Sequence, residues 1–276
     1  MKKASVSQVA SWILALAALA VVLFPLYWMV NTSLKPASEV FQSPPTFYSS
    51  RWTLEPYRHM WATRPFGRYF FNSLVVSGGS TLLAMALSSL AAYGFSRFHM
   101  RWERAGILVL LLTQMLPGTL LIIPYFQFMA RLGLINSYLA LILAYVSFAL
   151  PFSTWMLIGF FRSIPRELDE AAMMDGCGRI ESFWRVILPL SLPGLVAVAT
   201  FTFLQSWNSY VFALVLTTDP SMFPLPVGIA NIMGEYQVQW NELMAASVLA
   251  TLPVMVLYGF LERYLVAGIT AGAVKG

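Results

Sequence analysis

At 276 residues, 58% hydrophobic and 11% charged, the chain is far more apolar than soluble domains, which run at about 45–50% apolar and about 25% charged; its mean hydropathy of +0.69 is that of a polytopic membrane protein. A net charge of +5, carried by arginines at the ends of apolar runs and never in a basic cluster, points to membrane topology and away from nucleic acid. One cysteine, two histidines and no GxxxxGK[ST] loop exclude an intrachain disulfide, a histidine-based metal site and ATP binding by that loop, so energy from ATP has to come from a partner.

Lys2 and Lys3 precede the first apolar run, 9–30. Ala15-Leu16-Ala17 imitates a signal-peptidase site, but the run exceeds the about 7–15 apolar residues of a cleaved signal, so a retained span is expected. Residues 31–68 are polar and rich in Pro, Ser and aromatics, which predicts a small external lobe or strap. The second span is predicted at 69–95. Its Ser77, Gly78, Gly79, Ser80, Ala84, Ala86, Ser88, Ser89, Ala91 and Ala92 let helix backbones approach closely, which places it centrally in a bundle. The third span, 105–129, is interrupted by Pro117-Gly118 and Pro124. A break at membrane depth frees carbonyls that survive only against protein or a wet cavity; the plainer alternative is a proline kink satisfied by neighbouring helices. A turn at 131–136 leads to the fourth span, 137–161, with Pro151 inside. The fifth and sixth are predicted at 192–217 and 243–261, separated by a loop, 219–242, punctuated by Pro220, Pro224 and Pro226.

Each run meets the about 17–25 residues a helix needs to cross about 30 Å of hydrocarbon. None contains Asp, Glu, Lys, Arg or His. That argues against a secondary transporter built on buried carboxylates, and against an intramembrane enzyme, which needs an activated Ser or paired acids in the bundle.

With six spans, Lys2, Lys3, Arg97, Arg101, Arg104, Arg162, Arg166, Arg179, Arg185, Arg263 and Lys275 fall on one side, eleven in all; Lys35, Arg51, Arg58, Arg64, Arg68 and Arg131, six, fall on the other, which accounts for all 17. The positive-inside rule puts the first set, with both termini, in the cytoplasm. The cations of 31–68 run against that choice, whereas 219–242 carries none and agrees with it.

A polar island, Arg162–Gly194, separates the fourth and fifth spans. Pro165 suits a helix start. Leu168, Ala171 and Ala172 then share a face with Glu167 and Glu170 beside them, and Gly176 is placed to stop the helix in a left-handed conformation. Ile180, Phe183, Trp184 and Ile187 form a second stripe, ended by Pro189 and Pro193. Taken alone, this is an amphipathic loop on a membrane surface.

Glu170-Ala171-Ala172, three residues, Gly176, nine residues and Val186-Ile187-Leu188-Pro189 resemble the EAA loop of binding-protein-dependent ABC importer permeases, with Val186 where the family usually has Ile. The flanks Trp155–Pro165 and Trp207-Asn208, the opening Ser33–Phe41 and the closing Thr270–Gly276 resemble the second permease subunit of maltose-type carbohydrate importers. Nearly the whole chain is covered. The resemblance implies an all-α, polytopic bundle of six transmembrane helices with the type I importer permease fold. It implies a single transmembrane domain over 1–276, with its core at about 70–262 and a cytoplasmic coupling loop at 162–190. It also implies a second permease subunit in a heterodimer, two ATPase subunits that bind ATP and Mg, an extracytoplasmic solute-binding protein, no cofactor on this chain, and a bacterial or archaeal plasma membrane. The residues expected to couple to the ATPase are Glu167, Glu170, Ala171, Ala172, Asp175, Gly176, Phe183, Trp184, Leu188 and Pro189. A permease for amino acids or peptides would carry a similar loop; the flanks and tail favour carbohydrate.

The densest polar set lies on the fifth span. Thr202, Ser206 and Ser209 follow i, i+4, i+7, with Gln205 and Asn208 on an adjacent face. With Gln114, Tyr145 and Thr154 from the third and fourth spans, Thr202, Gln205, Asn208 and Ser209 are candidates for a substrate pathway. Neutral hydrogen-bonding groups beside aromatic rings suit a neutral polyhydroxylated solute; the alternative is hydrogen bonding between helices. Ser209 stands where the family usually has an acid, so no family role carries over to it. In 219–242, Met222, Gly228, Gly234 and Tyr236 are candidates for contact with the binding protein, against the alternative of a disordered cap.

Overall fold

The computed structural model describes residues 6–98, 101–233 and 238–273. In chain order the helices are α1 (Val6–Ser33), α2 (Ala37–Val40), α3 (Glu55–Thr63), α4 (Phe66–Arg97), α5 (Glu103–Thr113), α6 (Ile122–Arg131), α7 (Tyr138–Ser163), α8 (Glu167–Met174), α9 (Arg179–Leu190), α10 (Leu192–Trp207), α11 (Val211–Leu216), α12 (Leu225–Ala230) and α13 (Trp240–Ala273). Extended pairing among the described residues is limited to one bridge, Met233 to Val238. The chain divides into two compact units: Met1–Phe66 with Ile229–Leu252, and Gly67–Gly228 with Pro253–Gly276.

Among the described residues, four helices are long and apolar enough to cross a bilayer unaided: α1, α4, α7 and α13. The predicted third and fifth spans behave differently. α5 and α6 are bent by 87° across Gln114–Leu121, where Pro117 leads into a 3₁₀ turn at Gly118–Leu121. Pro117 cannot donate a helical hydrogen bond, so the break sits where the sequence put it. The predicted run 192–217 is not continuous. α10 stops at Trp207, the Asn208 side chain donates its amide to Leu204 O at 2.9 Å, and α11 begins only at Val211. Leu204 O already accepts the Asn208 backbone N–H at 3.1 Å, so the side chain adds a local bond at the point where a run that hydropathy alone reads straight through is interrupted.

In the first unit, the described side chains along most of α1 are exposed, with Trp12, Leu14 and Val21 each more than 70% exposed. Such a helix packs in no core of its own chain, and its apolar surface suits lipid or another subunit. The predicted strap 31–68 is ordered by polar contacts. Lys35 donates to Thr46 O and lies 5.0 Å from the Trp28 ring. Glu39 accepts from Ser49 Oγ at 2.8 Å and from Ser50 Oγ. Those two hydroxyls, Ser50 first, hold its carboxyl below the ordinary 4.5. His59 Nδ1 lies 2.6 Å from Glu242 Oε1, and Arg64 Nε lies 3.9 Å from Glu242 Oε2. Two of the basic residues that ran against an outer location, Lys35 and Arg64, are thus engaged locally.

The second unit is built around α4 and α7. Ser77, Ser80, Ala84, Ser88 and Ala92 are all nearly fully buried, at helical spacing along α4. Val76 clusters with Leu141 and Ala144, Ala84 with Val146 and Ala149, and Ala92 with Leu157 and Phe161. Contacts advance together along both helices, so α4 and α7 run parallel, as alternate crossings do. A Cβ on Gly79 would stand 2.8 Å from the far end of the Ile142 side chain, so the two helices are in close contact there. α10 runs antiparallel to α7: Leu195 and Val198 pack with Leu157 and Phe161, and Thr202 faces Ser153. Gly194 would place a Cβ 2.6 Å from Phe160.

Candidate functional site

Two features of the second unit carry the functional candidates: an elbow at 162–190 and a cavity at the helix breaks.

The elbow is α8, a Gly stop and α9. Glu167, Asp169 and Glu170 fill the first turn of α8, where the helix dipole favours anions. Gly176 has φ +92°, and a Cβ there would meet nothing within 4 Å. Its requirement is therefore conformational and not steric. Cys177 N–H donates to Ala172 O at 3.0 Å, closing the end of the helix. Of the expected coupling residues, Glu167, Glu170, Ala171, Asp175, Gly176, Trp184 and Pro189 are exposed, Leu188 is half-buried, and Ala172 and Phe183 are buried. The expected second stripe splits. Phe183 and Ile187 are buried, whereas Ile180 and Trp184 are 74% and 58% exposed. The turn at Phe183–Ile187 is wide and π-helical, and each pair four apart keeps to one side: Phe183 with Ile187 inward, Ile180 with Trp184 outward.

The residue that fixes the elbow is Asp169, which the sequence did not single out. Its Oδ2 lies 2.7 Å from Arg97 Nε at the end of α4, with both side chains at least nine-tenths buried. Ser182 Oγ donates to Asp169 Oδ1 at 2.8 Å, tying α9 to α8. Around this pair Arg97 donates to Ile164 O at 3.1 Å, Arg166 to Ser96 O at 3.2 Å and Tyr93 OH to Arg179 O at 3.0 Å. Arg162 pairs with Glu103. The elbow is thus pinned to α4 on its inner face and leaves an acidic, Ala- and Met-bearing face free. The signal for Asp169 was available: it lies one residue from Glu170 and points a different way around the helix.

The cavity, of about 370 Å³, is lined by Gln114, Leu116, Pro117, Gly118, Tyr145, Phe148, Gln205, Ser209 and Phe212. Both breaks supply its walls. Gln114 ends α5 and donates its amide to Phe148 O at 2.8 Å. Phe148 and Phe212 stand 4.9 Å apart, centroid to centroid, and Tyr125 stacks on Phe148 at 5.3 Å. Four predicted pathway residues meet here: Gln114, Tyr145, Gln205 and Ser209. The other three do not. Thr154 is 1% exposed, Thr202 is fully buried with its hydroxyl 3.5 Å from that of Ser153, and Asn208 caps α10. For Thr202 the interhelical alternative holds. Phe148 and Phe212 were missed because a Phe in an apolar run carries no mark of lining a cavity. No charged side chain lines it.

The 219–242 loop is anchored in the described part. Asn72 Nδ2 donates to Ser221 O and Phe223 O at 2.8 and 2.9 Å, and Leu225 N–H donates to Ser73 Oγ at 2.7 Å. Asn136 Oδ1 accepts from Thr218 N–H at 3.1 Å and Asp219 N–H at 3.0 Å. Met222 is half-exposed at the end of a 3₁₀ turn. Gly228 is buried, and a Cβ there would lie 2.1 Å from the Tyr69 ring, so it serves packing and offers no contact surface. Gly234 and Tyr236 lie outside the described residues.

Residues 66–271 match the family described as binding-protein-dependent transport system inner membrane component. The chain belongs to this family. It is 38% identical over 260 residues, 94% of this chain and 93% of the other, to the inner membrane ABC transporter permease protein YcjP of Escherichia coli K12. It is also 38% identical over 257 residues, 92% of each chain, to the trehalose/maltose transport system permease protein MalG of Thermococcus litoralis. Its fold is that of a subunit of a bacterial ABC transporter involved in import of the acidic polysaccharide alginate, with a TM-score of 0.84 over 96% of this chain and 100% of that one at 20% identity. The permease is therefore a membrane transport subunit and not an enzyme.

Proposed function

We propose that this permease forms half of an alternating-access pathway for a neutral sugar or sugar derivative, in an importer driven by ATP hydrolysis on partner subunits. The observation that carries the reading is the cavity at the breaks. Its polar groups are all uncharged, two amides and two hydroxyls, and its aromatic walls are Phe148 and Phe212. Ring faces stack against sugar C–H surfaces while amides bond hydroxyls. The trehalose/maltose permease among its relatives agrees with a saccharide.

In this reading the partners are a second permease subunit, two ATPase subunits that hold ATP and Mg, and an extracytoplasmic solute-binding protein. Both termini and the elbow face the cytoplasm, where the positive-inside rule puts them. The exposed face of α8, with Glu167, Glu170 and Ala171, docks the ATPase, and 219–242 meets the binding protein. The test is uptake by the assembled complex in proteoliposomes of labelled neutral saccharides, sugar acids and amino acids. Uptake confined to neutral saccharides is expected, falling about tenfold for Gln205→Ala, the loss of about 1.4 kcal/mol of hydrogen bonding. Uptake of amino acids or sugar acids in place of neutral sugars would overturn the reading.

A further inference from the structure

α4 is held by side chains at both ends. At one end Tyr93, Ser96 and Arg97 grip the elbow. Near the other, Asn72 bonds two carbonyls of the 221–225 segment, Ser73 accepts the Leu225 amide, and Arg68 Nε donates to Ser221 O at 3.2 Å. Asn72 Oδ1 is itself fixed by Tyr138 OH at 2.7 Å. Asn72 and Ser73 are 0% and 2% exposed, so these bonds are shielded from water. Between the two grips α4 is one continuous helix without proline. At about 1.5 Å per residue, Asn72 and Arg97 stand about 37 Å apart. α7, the other unbroken helix of this unit, carries Pro151 inside and leads directly into the elbow; the remaining routes are interrupted, since α5 and α6 bend by 87°, α9 and α10 by 78°, and α10 stops at Trp207.

We propose that α4 is the strut that ties segment 221–225 to the elbow, with Asn72 and Arg97 as the positioning residues at its two ends. An unbroken helix carries a displacement along its axis, whereas a bent pair absorbs it at the bend. A grip at each end is what lets one site bias the other, and by linkage the bias runs both ways. The inference rests on the proposed docking of the ATPase at the elbow and of the binding protein at 219–242.

The test uses the complete importer in lipid nanodiscs, with basal hydrolysis and its stimulation by solute-loaded binding protein measured for Asn72→Ala, Arg97→Lys and the double variant. Asn72→Ala is expected to keep the ATPase subunits attached and to lower the stimulation ratio by about fivefold or more. Arg97→Lys, which keeps the charge and loses the fork that reaches both Asp169 and Ile164 O, is expected to do the same. The double variant is expected to be no worse than the worse single one, because the strut is already released. Multiplicative losses, or wild-type stimulation in Asn72→Ala, overturn the strut. If Asn72→Ala fails to assemble, Ser73→Ala removes only the bond to Leu225 and is read in the same way. Cross-linking through Ser221→Cys to the binding protein and through Glu170→Cys to the ATPase, in a Cys177→Ser background, isolates the docking assignments. With both cross-links formed and stimulation normal in Asn72→Ala, the strut is wrong and the docking stands. With either cross-link absent, the docking is wrong and the strut falls with it.

Discussion

The elbow and the cavity are built in opposite ways. The elbow is one contiguous stretch of chain whose inner face is spent on a buried ion pair and whose outer face stays free. The cavity is assembled from separated stretches, each beside a helix break or on α7, and none of its lining residues is charged. A surface that docks a partner, as proposed for the elbow, has to present many groups in fixed order, so its signature is local in sequence. A cavity needs only that a few groups converge, and neighbours on the same helices, such as Thr154 and Thr202, are left to pack.

The largest effect that would test this contrast is Asp169→Ala. It strands the Arg97 guanidinium without its counter-ion, at a cost of about 3–5 kcal/mol. Thermal melting in detergent should fall sharply, while exposed Glu167→Ala stays within about 0.5 kcal/mol of wild type. Equal losses from the two would mean that the inner and outer faces of α8 are not distinct.

The two glycines come next. Gly176→Val forces a β-branched residue into the left-handed region, for about 1–2 kcal/mol. Gly176→Asn should recover most of that, since Asn visits the region readily. Gly118→Ala should leave stability unchanged, because its Cβ would sit at ordinary contact distance, 3.7 Å, from Phe148 and Phe212. It should instead lower uptake by filling cavity space. Melting and uptake measured on both separate a backbone requirement from a volume requirement.

Within the cavity, Gln205→Ala should reduce uptake about tenfold. Thr202→Val, measured per folded complex, should not, since Thr202 faces Ser153. A transport defect specific to Thr202→Val would move the pathway deeper into the α7–α10 interface.

The smallest expected effect lies in the strap. Glu39 is held below 4.5 by Ser50 and Ser49, so its contribution is fully present above that value and is lost as pH falls through its depressed one. Proteolysis of 31–68 should therefore increase only in acid, below about pH 4. Ser50→Ala should shift that onset upward, because the strongest cause of the depression is gone. The elbow, whose inner face does not depend on these serines, should show no change from Ser50→Ala.

The sequence by itself determined that this is a helical membrane protein, roughly where its crossings lie, where α5 and α6 break, and which stretch forms the elbow. Hydropathy, proline and a fixed motif are local properties, and each acts on the few residues around it. The end of α10 left only a polar cluster, Asn208 and Ser209, inside an apolar run, too weak a signal to outweigh hydropathy. Only the tertiary structure decided that Asp169 and not Glu170 turns inward, because that depends on Arg97 arriving from α4. It also decided that Phe183 and Ile187 of the second stripe turn inward against Ala92, Leu157 and Phe161 while Ile180 and Trp184 stay outside, that Phe148 and Phe212 form cavity walls, and that Gly228 packs on Tyr69. Each of these rests on a neighbour distant in the chain. A residue's burial, and with it its role, is set by what the fold brings against it.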